Sequence, residues 1–144
     1  MKNAIFQYSE MEQMVREVTS NSKEEPQEVL MRELAKGTFT VDLGGILSHI
    51  WRRLAVKSNP HHPYKCLILL EYLLREGNTE RIMQELESDG SRKLAMIEEL
   101  RYFACASEAR YGDALGSQSE SAKVRLRAAR FLKFINNDND DDLD

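Results

Sequence analysis

Apolar residues recur along this chain at helical rather than strand spacing. Met11, Met14, Val15 and Val18 fall at i, i+3, i+4 and i+7, one stripe of a helix. Ser9 stands in front of them with Glu12 three residues on, the spacing of a capping box. Lys23-Glu24-Glu25-Pro26 makes a polar break, and Pro26 suits the first turn of a following helix. That helix carries Val29, Leu30, Leu34 and Ala35, with Gly37 to close it. Asp42 is the expected cap of a third helix, whose buried face is Leu43, Ile46, Leu47, Ile50, Trp51 and Leu54. Asn59-Pro60-His61-His62-Pro63 reads as a loop, because each proline interrupts a helix. Residues 64–76 are apolar nearly all round, which predicts a central helix surrounded by others, closed by Gly77. Thr79 is the expected cap of a short helix with Ile82, Met83 and Leu86, and Ser88-Asp89-Gly90 turns the chain. Leu94, Ile97, Leu100 and Phe103 make the next stripe, and 107–119 is a loop of small residues. Val124, Ala128, Phe131, Leu132 and Ile135 mark the last helix. Strand-type alternation is absent, so the pattern predicts an all-α fold of about seven or eight helices. No motif recurs at a fixed period, which argues against a TPR- or ankyrin-like array.

Composition narrows this picture. A chain of 144 residues, 42% hydrophobic and 31% charged, suits one globular domain with a real core. Seven Gly and three Pro supply too little turn chemistry for a sandwich or barrel. Cys66 and Cys105 both sit in apolar helical surroundings, which argues for free thiols and a reducing, cytoplasmic setting. No apolar run reaches the ~18–20 residues that span a bilayer, and the opening residues do not read as a secretory signal. The net charge of −4 is set by the end of the chain, because five Asp lie within 136–144 and removing them leaves +1. Residues 1–135 are therefore expected as the domain, and 136–144 as an acidic flexible tail or the start of a linker.

Catalytic signatures are missing. The sequence holds no glycine-rich phosphate loop, nucleophile elbow or His-Glu-x-x-His. His61 and His62 form a conceivable metal corner, but adjacent residues rarely converge on one ion. No catalytic residue, metal or cofactor is expected, and no nucleic-acid partner. Lys2, Arg16, Arg52, Arg53, Lys57, His61, His62 and Lys65 gather at the N-terminus and around the Pro-containing loop. By themselves they fit either a solvated basic face or a binding surface.

The order of these residues carries a resemblance. The opening Met1-Lys2-Asn3-Ala4-Ile5-Phe6-Gln7-Tyr8-Ser9-Glu10, with Val15-Arg16-Glu17-Val18-Thr19-Ser20-Asn21, is similar to the start of an epsin N-terminal homology (ENTH) domain. Ile50-Trp51-Arg52-Arg53-Leu54 and Tyr64-Lys65-Cys66-Leu67-Ile68-Leu69-Leu70-Glu71-Tyr72-Leu73 agree in order and approximate spacing. Gly77-Asn78-Thr79-Glu80-Arg81 resembles the family's Gly-Ser-Glu-Arg with one residue added. The resemblance implies a right-handed superhelix of helical hairpins. It also implies a module that recruits clathrin-coat components to phosphoinositide-bearing membrane, on clathrin-coated vesicles of the Golgi and endosomes or of the plasma membrane. Ala35-Lys36-Gly37-Thr38-Phe39 leans slightly to the Golgi/endosomal branch.

Matching positions imply the headgroup ligands Lys2, Arg16, Asn21, Arg53, His62 and Lys65, with Lys57 as a shifted candidate for the loop lysine. Arginines supply planar forks to phosphate and Lys65 a compact charge. The competing arrangement pairs Arg16 and Arg53 with Glu12, Glu17 or Glu71. Met1, Ala4, Ile5 and Tyr8 form a two-turn apolar stripe, of which Met1, Ala4 and Ile5 are implied to be membrane-inserting, with a cap on the core as the alternative. The family's Asp-Pro-Trp-Gly-Pro is Ser22-Lys23-Glu24-Glu25-Pro26 here, its Asn-Trp is Asn59-Pro60, and its turn before the last helix is replaced by Ala109-Arg110-Tyr111-Gly112-Asp113-Ala114-Leu115-Gly116. Clathrin and adaptor proteins are expected to engage regions beyond this chain. Two rival readings stay open: a protein-interaction module for a SNARE or cargo tail with little or no lipid binding, and an enzyme or metalloprotein built on His61 and His62.

Overall fold

Helical spacing becomes seven α-helices in the computed structural model, which describes residues 8–88, 92–104 and 120–136. They are α1 Glu10–Val18, α2 Glu28–Gly37, α3 Leu43–Leu54, α4 His61–Glu76, α5 Thr79–Glu87, α6 Arg92–Glu99 and α7 Glu120–Ile135; a 3-10 turn, Leu100–Tyr102, follows α6. No strand occurs among the described residues, and none of their helices is long and apolar enough to cross a membrane. Asp89, Gly90, Cys105, the 107–119 loop and the acidic residues after 136 lie outside the described residues.

The central helix is α4. Cys66, Leu67, Leu69, Leu70 and Leu73 are fully buried, and α2, α3, α5 and α7 pack around them. Cys66 is a free thiol, and burial pushes its pKa up to about 12. In the first half of the chain, helices also touch the next but one, α1 against α3 and α2 against α4. The stack has two ends. α1 and α3 finish where α4 begins, with Arg53 held on Thr19. At the opposite end the α2–α3 turn meets the end of α4, where the Asn78 N–H donates to Thr38 Oγ1 at 2.8 Å. α7 starts beside His61 (4.0 Å from Glu120) and runs along α4 until Phe134 lies under Arg75.

Local chemistry confirms some expectations and corrects others. The capping box is present: Glu12 N–H donates to Ser9 Oγ and Ser9 N–H to Glu12 Oε1, both at 3.1 Å. Pro26 stands ahead of the first turn, since Gln27 is the N-cap of α2. Met31 is buried in the place expected for Val29, which is exposed. Asp42 makes no side-chain cap. Asn78, not Thr79, caps α5 by accepting from Arg81 N–H, while Thr79 Oγ1 donates to the Leu74 carbonyl. Pro63 lies inside α4 rather than before it, because the first-turn N–H that proline lacks has no helical partner to lose. Gly37 and Gly77 close their helices through close approach instead of a left-handed cap. A Cβ at Gly37 would lie 2.8 Å from Met11 Sδ, and one at Gly77 2.6 Å from Thr38 Oγ1 and 2.7 Å from the Leu73 carbonyl.

Candidate anion-binding site

The ends of α1 and α3 and the start of α4 bring most of the expected ligands together. Arg53 is the pivot. Its Nε donates to Thr19 Oγ1 at 2.6 Å and its Nη2 to the Thr19 carbonyl at 3.1 Å. The buried Thr19 hydroxyl in turn donates to the Val15 carbonyl at 2.7 Å, so the guanidinium is aimed by the last turn of α1. Nη2 also lies 3.4 Å from His62 Nε2. A guanidinium only donates, so neutral His62 accepts there and carries its proton on Nδ1. That Nδ1 is buried and has no partner among the described residues. The Nη1 amine of Arg53 is likewise unpartnered among the described residues and remains available to an acceptor.

Arg16 lies over the Tyr8 ring, 4.7 Å from its centroid, and Tyr8 meets His49 edge-on at 5.0 Å. Tyr8 is therefore docked beside the site. Lys65 is 3% exposed, and its ammonium reaches Ser22 Oγ at 3.1 Å and Ser20 Oγ at 3.4 Å. Asn59 ties two loops together: its Nδ2 donates to Asn21 Oδ1, and its Oδ1 accepts from His61 N–H at 2.8 Å. The latter bond satisfies one of the orphan donors at the start of α4, whose dipole adds positive potential there.

The electrostatics are positive around Arg53 and His62 and partly offset at Lys65. Burial, with Arg16 nearby, lowers the pKa of Arg53. Burial lowers His62 as well, and the charges acting on it, from Arg53, His61, Lys65 and Arg16, are all positive. Burial lowers Lys65 against a partial offset from Glu24 and Glu25. No carboxylate makes an ion pair with Arg16, Arg53 or Lys65 among the described residues. The expected alternative, in which Glu12, Glu17 or Glu71 neutralises the arginines, is not what forms. Glu71 pairs elsewhere, with Arg75, Arg127 and Arg130 at 2.6, 3.3 and 3.5 Å. Guanidinium forks, a buried ammonium, an amide and an imidazole converging without an ion-paired acid suit a polyanion with many acceptor oxygens.

Lys57 stands apart, its ammonium 3.9 Å from Glu99 and joined to the others by no contact. Lys2, Met1, Ala4 and Ile5 lie outside the described residues. His61 and His62 diverge, one toward Glu120 and one toward Arg53. A guanidinium at that distance repels a cation, and no group of three metal-ligating residues occurs among the described residues. Thr19, Asn59 and the Ser20–Ser22 pair escaped sequence reasoning, and Tyr8, expected in the apolar stripe, stands beside Arg16 instead. Only Asn59, a good capping residue immediately before a proline, carried a local signal.

The chain matches the ENTH domain family over residues 8–141. It is 42% identical to rat (Rattus norvegicus) epsin-1 over 91 residues, 62% of this chain but 16% of that protein. Its fold is similar to the human epsinR ENTH domain, with a TM-score of 0.75 and 27% identity over 92% of this chain and 91% of the other. It is equally similar to the epsin-2 ENTH domain in complex with phosphatidylinositol 4,5-bisphosphate, with a TM-score of 0.75 and 25% identity over 94% and 89%. The all-α stack, the order of the basic residues along it and these likenesses agree: the chain belongs to the ENTH domain family.

Proposed function

We propose that this domain binds phosphoinositide headgroups through Arg16, Asn21, Arg53, His62 and Lys65, and so recruits an epsin-type adaptor to membranes in clathrin-mediated traffic. The observation that carries the reading is the convergence of Arg53, His62 and Lys65, with Arg16 beside them, where no carboxylate forms an ion pair with Arg16, Arg53 or Lys65 among the described residues. The lipid carried by the epsin-2 ENTH domain supports the ligand class. Recognition is non-catalytic: the Arg53 Nη1 hydrogens, the His62 Nδ1–H and the Lys65 ammonium donate to phosphate oxygens, and the start of α4 adds its dipole. Lys65 exchanges serine hydroxyls for a charged acceptor as the ligand arrives. Clathrin and adaptor proteins would bind outside this chain, and the protein would be peripheral on its membrane.

Met1, Ala4 and Ile5 would insert beside the captured headgroup, with Lys2 at the lipid surface. Tyr8, the residue where that segment joins the domain, is held between Arg16 and His49 beside the site. The test is sedimentation with phosphatidylcholine vesicles with and without phosphatidylinositol 4,5-bisphosphate. Binding only with phosphoinositide is expected, and equal binding to both would overturn the reading. Ile5→Glu should weaken that binding with the melting temperature unchanged. A destabilised variant with normal lipid binding would instead make the segment a cap on the core.

A further inference from the structure

Two serines in the loop between α1 and α2 carry chemistry that headgroup binding does not use. The loop reads Ser20-Asn21-Ser22-Lys23-Glu24-Glu25. The Ser22 hydroxyl lies 3.1 Å from the Lys65 ammonium and 3.3 Å from the Ser20 hydroxyl. Ser20, Ser22 and Lys65 line a cavity of about 150 Å³ whose other walls include Glu17, Glu24 and Glu25. A buried full charge is thus held by two neutral hydroxyls, a weaker arrangement than a charged acceptor would give. Ser22 is half-buried on an irregular segment with acid two and three residues ahead.

We propose that Ser22 is a phosphorylation site, and that its phosphoserine pairs with Lys65 and switches phosphoinositide binding off. The switch rests on the headgroup reading above; the Ser22–Lys65 pair does not. A protein kinase using ATP would form the bond from Ser22 Oγ to the γ-phosphorus. The bond from that phosphorus to the β,γ-bridging oxygen breaks, ADP leaves, and the hydroxyl proton passes to the kinase's base. Glu17, Glu24 and Glu25 favour a kinase with a basic substrate groove. Ser20 is the poorer acceptor, lying farther from Lys65 at 3.4 Å with its N–H bonded back to the Glu17 carbonyl. Phosphate adds close to two negative charges and three acceptor oxygens. Placed here it gives Lys65 the directly paired acid that Glu24 and Glu25 do not supply, occupies that ammonium and repels an incoming headgroup.

The test compares the chain carrying phosphoserine at 22 with the unmodified chain. In phosphorus NMR the second phosphate pKa, about 6 in free phosphoserine, should fall, and Lys65→Met should return it toward that value. Sedimentation with phosphatidylcholine vesicles containing phosphatidylinositol 4,5-bisphosphate should weaken about tenfold or more on phosphorylation. A kinase of basic groove should label Ser22, and Ser22→Ala should block the label. Labelling of Ser20 with Ser22 untouched overturns the site. An unshifted phosphate pKa overturns the pairing whatever the vesicles do, and needs no variant to fold. A shifted pKa with unchanged vesicle binding overturns the switch. A shifted pKa in a chain that fails to sediment even unmodified overturns the headgroup reading and upholds the Ser22–Lys65 pair.

Discussion

Helix α4 carries two basic clusters about 9 Å apart along its axis, and they follow opposite rules. At Glu71, whose side chain is 4% exposed, three guanidiniums share one carboxylate. Arg75 comes from α4 itself, Arg127 and Arg130 from α7, so the cluster fastens one helix to the other. At Lys65, six residues earlier, Arg16, Arg53 and His62 gather around hydroxyls, a carbonyl and a ring instead. The same residue types hold the fold together where an acid is supplied, and offer donors outward where it is withheld. An unpaired cluster costs stability through desolvation and mutual repulsion. An arriving polyanion relieves that cost.

The sharpest way to break the contrast is Glu71→Gln. Removing the shared acid strands the largely buried Arg127 guanidinium, whose Nε already lacks a partner, while Arg75 and Arg130 stay half in water. Losing one side of a buried pair costs about 3–5 kcal/mol, roughly 10 °C of melting temperature for a chain of this size. Thermal unfolding should show that loss, while folded protein keeps its affinity for phosphoinositide vesicles. A drop of only a degree or two would mean that Glu71 fastens nothing.

The opposite perturbation comes next in size. Arg16→Ala with Lys65→Ala should lower vesicle affinity by about thirtyfold, counting ~1 kcal/mol for each basic residue at an anionic surface. Lys36→Ala is the proper comparison, since its exposed ammonium pairs with Glu33 at the far end of α2. Arg127 would be a poor one, because it holds Glu71. Unchanged affinity in the double variant would sink the pocket.

How much of this was legible without coordinates depends on the range of the interaction. The stripe from Leu43 to Leu54 was readable because burial follows helical period, and all six expected residues are buried. Val29 misled because period alone does not say which side of a short helix faces inward; Met31 does. Pro63 misled because a proline inside a first turn looks like a proline that ends a helix. The basic ligands were visible as a list, but only the family likeness singled them out from the rest. The Arg53–Thr19 bonds and the Asn21–Asn59 tie join residues 34 and 38 positions apart. No local pattern announces such bonds. Lys65 is the clearest case: its letter promised an exposed cation, yet it is buried beneath two serines of another loop.

A smaller effect comes from pH, and it separates ligand binding from stability. Burial and neighbouring cations hold the His62 pKa below its usual 6.5, so the ring is neutral near pH 7. An unfolded chain takes up that proton first as pH falls, so stability without ligand should decline once pH drops below the ordinary histidine range. His49, buried and lowered by burial, adds to the decline. A bound polyanion favours protonated His62, so vesicle affinity should rise several-fold between pH 7 and pH 5.5 as free-protein stability falls. His62→Gln should flatten the affinity profile and leave the His49 part of the stability profile. A rise in affinity that survives His62→Gln would assign it to another group.

The acidic end should matter least, for a reason the sequence does not display. Read as charge alone, five Asp after Asn136 ought to repel the membrane that the basic cluster attracts. In the fold, α7 begins beside His61 and ends beside Arg75, so its sixteen residues separate the acidic attachment point from the site by about 24 Å. Screening acts over about 8 Å at physiological salt and about 30 Å at 0.01 M. Deleting 137–144 should therefore change vesicle affinity by less than about twofold at 0.15 M salt, and strengthen it visibly only near 0.01 M. The melting temperature should not move, since the buried face of α7, Val124, Ala128, Phe131 and Leu132, ends before the deletion. Affinity that rises equally at both salt concentrations would mean that the acidic residues reach the cluster directly. They would then supply the very acid whose absence distinguishes it from Glu71.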